Sequence, residues 1–215
     1  ISLVGVIKLR READLKLHVP TYLSSASETG SGIGDKDVGV TLGYPKAELK
    51  TSGDFKWYEQ NTHTDYSFGI VTKNVGDEIY YTLATTDDDK DYVSFAKNAL
   101  DAAAEIGFDK LFVAHKRSWQ RCNKKSSVKT GDKLLDDTYK KSWYLFRCCS
   151  RKGCYPMPLQ GVWTADNDSL PPWKGDYHHD TNTELSYQSY LAANRIDEGV
   201  SFVEYLWKLR PAFKK

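Results

Sequence analysis

The stretch from Leu159 to Glu184 gathers Trp163 and Trp173, His178 and His179, the carboxylates of Asp166, Asp168, Asp176, Asp180 and Glu184, and the amide of Asn182. Connections in compact domains are usually short, so a long polar and aromatic run ending at a helix start marks a candidate site. Indole faces flanked by polar groups suit a sugar. The C–H face of a pyranose packs on the ring, while carboxylates and amides take its hydroxyls. In that chemistry Trp163 and Trp173 are platforms, and Asp166, Asp168, Asp176, Asp180 and Asn182 are hydroxyl partners. The same tryptophans would serve equally as plugs at a junction between sheet and helices, and spacing alone leaves both readings open. His178-His179-Asp180 invites a metal, but adjacent histidines point in different directions in most backbone conformations. No third ligand stands at a standard zinc spacing, so neither a metal nor a cofactor is expected.

These side chains need elements to hold them. Thr181 with Glu184 fits a capping box, which starts a helix and places Asn182 in its first turn. Leu185, Tyr190 and Leu191 continue that helix, and Val200, Val203, Leu206 and Leu209 form a further stripe that Pro211 closes. Upstream, Asp87 to Asp89 supply cap and first-turn charge for a helix carrying Tyr92, Phe95, Ala96, Ala99, Leu100 and Ala103, with Gly107 as its stop. Phe108, Leu111, Phe112, His115 and Trp119 make a second stripe, on which His115 reads as a packing residue. A polar linker from Asn123 to Asp132 precedes a helix with Leu135, Tyr139, Trp143 and Phe146 on one face, ending near Gly153.

Residues 1 to 86 have a different period. Leu15, Leu17 and Val19 alternate with polar neighbours, as do Val38, Val40 and Leu42, and strands are expected at 55–58, 66–71 and 78–83. Gly30-Ser31-Gly32-Ile33-Gly34 lacks the following helix that a dinucleotide fingerprint needs and reads as a loop. The whole is α+β, with an antiparallel β-sandwich part ahead of the helices.

Composition narrows the function classes. Lys plus Arg number 30 against 29 Asp plus Glu, so a net charge of +1 gives no electrostatic reason to expect nucleic acid or an anionic membrane as partner. No apolar run approaches the roughly 20 residues that span a bilayer. Cys122, Cys148, Cys149 and Cys154 form no CxxC pair and read as thiols in packed helices. The chain starts as if in mid-strand without a methionine, so a piece of a longer protein is expected.

Three segments carry a specific likeness: Leu159-Gln160-Gly161-Val162-Trp163, Pro171-Pro172-Trp173 and Asp180-Thr181-Asn182-Thr183-Glu184-Leu185-Ser186-Tyr187. Together they resemble the opening of the catalytic barrel of glycoside hydrolase family 95, the α-L-fucosidases and α-L-galactosidases. The family's usual pattern over the last segment is Asn-x-Asn-Thr-x-Met-Asn-Tyr-Trp. The likeness covers roughly residues 108 to 209, and the helices around His115–Trp119 and Trp143–Ser150 resemble the family's linker helices.

The resemblance implies a β-sandwich part over 1–86, a helical linker region over 87–158 and the first helices of an α/α toroid over 159–215. It implies an inverting hydrolase in which a glutamic acid protonates the leaving oxygen and a distal aspartate with two asparagines positions water. Asn182 matches the second asparagine. Asp180 stands for the first, Ser186 for the motif's later asparagine and Gln188 for its tryptophan. Asp180 and Asn182 are therefore the expected catalytic pair, with Asp180 able to take the water's proton where an asparagine only orients it. Trp163, Trp173, Asp176, His178 and His179 are the expected substrate contacts. The acid and the distal aspartate are expected beyond Lys215, so this chain alone is not expected to complete the reaction. A carbohydrate substrate, the rest of its own polypeptide as partner and a periplasmic or extracellular location complete the implication. A non-catalytic carbohydrate-binding or scaffold protein is the competing reading.

Overall fold

The computed structural model describes residues 3–11, 17–19, 45, 47–62, 64–159, 161–162, 177 and 179–214. Among them the strands β1 (Val4–Lys8), β2 (Lys50–Ser52), β3 (Phe55–Asn61), β4 (Ser67–Val75) and β5 (Glu78–Thr85) form one antiparallel sheet in the order β1-β5-β4-β3-β2. The strands expected from Phe55, Tyr66 and Glu78 are present, and each runs on beyond its apolar core. Two-residue turns join β2 to β3 and β4 to β5, pairing Ser52 with Phe55 and Val75 with Glu78. Each turn begins with a glycine at positive φ, Gly53 at 55° and Gly76 at 58°, a conformation that tight hairpins require. Leu17 to Val19 lie outside any strand, while Leu15, Val38 to Leu42 and the Gly30–Gly34 loop fall outside the described residues.

One face of the sheet is covered by α1 (Tyr92–Ile106). Tyr92, Ala96, Leu100 and Ala103 recur on one side of this helix and bury against Val71, Tyr80 and Ala84. Leu100 is fully buried, a contribution of about 1.5–3 kcal/mol for a leucine side chain. The cap falls later than the aspartate run suggests. Asp91 accepts from the Ser94 amide, whereas Asp88 turns back to hold the Thr85 amide at 2.9 Å. Gly107, at φ 80°, ends the helix as its position implied.

The next helix, α2 (Phe108–Asn123), starts against β5, where its Phe108 amide donates to the Glu78 carboxylate at 3.3 Å. Two compact units divide the chain within this helix. Among the described residues, those up to Ser118 belong with the sheet and those from Trp119 onward form the second unit.

The second unit contains α3 (Lys133–Cys149), α4 (Thr181–Tyr187) and α5 (Ile196–Leu209). Asp132 caps α3 by accepting from the amides of Leu134 and Leu135 at 2.7 and 3.3 Å. Ser150 closes it, before Gly153. Trp143, Tyr139 and Phe146 are half-buried on its inner face, with Trp143 edge-on to both neighbours. The helix α4 is shorter than the apolar spacing implied, because Tyr190 and Leu191 lie in the turns that follow it. The architecture is α+β, an antiparallel sheet followed by helices.

The His115 reading also changes. His115 is exposed on α2, as are Phe112 and Val113, and the stripe's covered members are Phe108, Leu111 on the sheet side and Trp119 against Tyr144.

Candidate functional site

Asp180 caps α4 in extended backbone, and its Oδ1 accepts from the Asn182 amide at 3.1 Å. The helix thus starts one residue earlier than a Thr181–Glu184 capping box would have it. Thr181 is already helical, so its hydroxyl does not cap, and Glu184 stands in the first turn with its amide bonded to the Asp180 carbonyl. Aspartate and threonine both cap well, and the backbone conformation at Asp180 decides between them. Asn182 is exposed at the second helical position, two residues from the cap. The expected catalytic pair therefore sits together at one helix start, open to solvent.

What holds α4 is its opposite side. Thr183 and Tyr187, four residues apart, are its buried members. Tyr187 is 2% exposed, stacked on Phe202 and edge-on to Phe146. Its hydroxyl accepts from the Met157 amide at 2.7 Å and meets Ser150 Oγ at 2.8 Å. Ser150 in turn donates to the Glu198 carbonyl at 2.7 Å and lies 2.6 Å from Ser201 Oγ.

The inner face of α5 combines most of the expected apolar stripe with buried polar residues that the sequence reading passed over. Glu198, Gly199 and Ser201 are buried, Phe202 and Tyr205 are half-buried along with Val200, Leu206 and Leu209 of the expected stripe, and Val203 is 50% exposed. Glu198 is 0% exposed. Its Oε1 accepts from Arg147 at 2.7 Å and from the Cys122 thiol at 3.2 Å. Arg195 donates to the Cys122 carbonyl at 2.7 Å and to its sulfur at 3.0 Å, with its guanidinium over the Trp143 ring. Burial pushes the Glu198 carboxyl up, but the bonds from Cys122 and Arg147 with the Lys125 charge carry it below the usual carboxylate range. Burial and then Glu198 push the Cys122 thiol above its ordinary value, so it remains a donor. This network joins the end of α2 to α3 and α5. Sequence reasoning missed it because three of its members are charged and its hydrogen bonds span 51 to 76 residues.

His179 stacks on Tyr177 at 5.7 Å, and both rings meet Tyr205 of α5, at 5.4 and 5.2 Å. Tyr155 meets Tyr205 edge-on at 5.8 Å. Tyr177 is tied down by donating its hydroxyl proton to the Pro156 carbonyl at 3.0 Å. This aromatic group beside the start of α4 includes one expected contact, His179, and three tyrosines that loop composition alone did not single out. Trp163, Trp173, Asp176 and His178, with Asp166 and Asp168, lie outside the described residues. A groove of about 640 Å³ runs along Tyr139, Trp143 and Phe146 to Ser186 and Ser189. It lies toward the far end of α4 from Asp180 and is no part of this site.

A carboxylate and an amide at one helix start, beside stacked rings, are side chains of the kind that meet sugar hydroxyls and ring faces. Residues 91–215 match the glycosyl hydrolase family 95 catalytic domain, and the chain belongs to that family. A 44-residue stretch is 43% identical to the "Probable alpha-fucosidase A" of Aspergillus niger, a match covering 20% of this chain and 5% of that protein.

Proposed function

We propose that this chain is the entry segment of the catalytic region of an inverting glycoside hydrolase acting on α-L-fucoside-like bonds. In this reading Asp180 and Asn182 hold the attacking water, the general acid comes from elsewhere in the full polypeptide, and the chain alone is inactive. Trp163, Trp173, Asp176, His178 and His179 contact the sugar, and residues 159–215 begin an α/α toroid. The observation that carries the reading is the exposed Asp180–Asn182 pair at the start of α4, in a chain of family 95.

Inverting hydrolysis needs an acid on the leaving oxygen and a base on water at the opposite face. Asp180 uses Oδ1 to cap the helix, and a carboxylate with two oxygens can still accept a proton from water. Substitution by asparagine isolates that role. Asparagine caps a helix about as well as aspartate, so Asp180→Asn keeps the helix start and removes only the carboxylate. In the full-length enzyme, turnover of an α-L-fucoside should fall by about 10²-fold or more, the scale of a lost general base. An unchanged rate would sink the base role. NMR of the first product should show the inverted anomer.

A further inference from the structure

We infer that the Tyr187 hydroxyl is the anchor that sets where Asp180 and Asn182 stand, making Tyr187 a positioning residue for the hydrolysis proposed above, on which the inference rests. The helix carrying the pair has seven residues, too short to hold itself in water. Its location must come from what it buries, namely Thr183 and Tyr187. Tyr187 provides the polar part of that hold, and the protons around it can be assigned without conflict. The Met157 amide donates to the phenol oxygen, and the phenol donates to Ser150 Oγ. Ser150 donates to the Glu198 carbonyl, and Ser201 donates to Ser150. Every donor has an acceptor, and Ser150 uses both lone pairs and its one proton.

The network ties α4 to three other segments at once: the chain after α3, the start of α5, and the Met157 backbone. Losing the phenol oxygen would strand the Met157 amide and take one bond from Ser150. Asn182 lies five residues from Tyr187, about 7.5 Å along the axis at the α-helical rise. A tilt of roughly 8° about the anchor therefore moves it by about 1 Å. Errors of that size in a water-holding pair reduce turnover by up to about 100-fold.

The test is a double-mutant cycle in the full-length enzyme. Tyr187→Phe should lower kcat at least about tenfold with KM nearly unchanged, because sugar contacts elsewhere persist. In the Asn182→Ala background Tyr187→Phe should have a smaller effect than in the parent, since only Asp180 is left to displace, whereas general weakening of the fold would act equally in both backgrounds. If Asn182→Ala abolishes turnover and Tyr187→Phe leaves kcat unchanged, the inference is overturned. If Asn182→Ala leaves turnover unchanged, the functional reading fails, and hydrogen exchange then decides the anchor. Amides of α4 should exchange at least about tenfold faster in Tyr187→Phe than in the parent while those of α1 do not change. Equal rates would overturn the inference. Should Tyr187→Phe not fold, Ser150→Ala removes the partner hydroxyl and is judged by the same outcomes.

Discussion

Changing Glu198 to Gln should cost the second unit about 3 kcal/mol, a figure set by what the carboxylate leaves behind. Glu198 is 0% exposed and the Arg147 side chain 19% exposed, so this pair is mostly removed from water. Arg195, 4% exposed, stands in the same cluster through Cys122. Among the described residues neither Arg195 Nε nor Glu198 Oε2 has a hydrogen-bond partner, so no surplus bonding cushions the loss. Removing one partner of a buried pair costs about 3–5 kcal/mol, chiefly because the other charge is stranded. Water reaching the partly exposed Arg147 puts the cost at the low end. For a chain of this size each kcal/mol shifts the midpoint by about 2–4 °C, which gives a drop of roughly 6–12 °C.

Thermal unfolding followed by near-UV circular dichroism is the assay, with Trp119 and Trp143 packed in the same unit as reporters. Glu198→Met combined with Arg147→Met removes both charges and should cost less than Glu198→Gln alone. The acid side supplies a second readout. The folded carboxyl lies below its unfolded value of about 4.3, so the native state binds fewer protons than the unfolded state there. Its contribution is full above that value and is lost as pH falls through the folded pKa, a loss Glu198→Gln should not show. A cost under about 1 kcal/mol, or a double variant costing more than the single, would refute the stranded-charge reasoning.

Three further outcomes follow from local geometry. A Cβ on Gly199 would lie 2.1 Å from Tyr190 Cγ, so Gly199→Ala should destabilise by about 1–3 kcal/mol in urea unfolding despite alanine's better helix propensity. Tyr80 is pushed up to about 12, first by burial and then by its hydrogen bond to Glu78. A raised phenol stabilises fully below its unfolded value of about 10, so the sheet should weaken between there and about 12, and Tyr80→Phe should remove that alkaline step in a pH series of denaturation midpoints. Asp132→Ala should cost about 1 kcal/mol of chemical stability and Asp132→Asn only a few tenths, since asparagine still reaches the Leu134 and Leu135 amides.

What the sequence made legible follows from the physics of each signal. Alternation along β3 to β5 and the Gly107 stop are set by neighbours a few residues away, so local reading finds them. The face α5 buries is different in kind. Glu198 and Ser201 turn inward because Arg147, Cys122 and Ser150, 48 to 76 residues away, neutralise or bond them. Hydropathy weighs each residue without its partners, so it selected Val203, which is exposed, and passed over Glu198 and Ser201, which are buried. The helix start at Asp180 shows the same limit at short range, since only backbone conformation chooses between adjacent cap formers. The sequence pattern placed Asn182 in the first turn of a helix, as observed, while saying nothing of what holds that helix. That hold is polar and distant in sequence. Replacing Ser150, Tyr187 and Ser201 by apolar residues of similar volume would sharpen the hydrophobic pattern of this unit. It would also remove every side-chain hydrogen bond tying α4 to its neighbours through Tyr187, so the variant easier to read as packed helices should hold the Asp180–Asn182 pair less well.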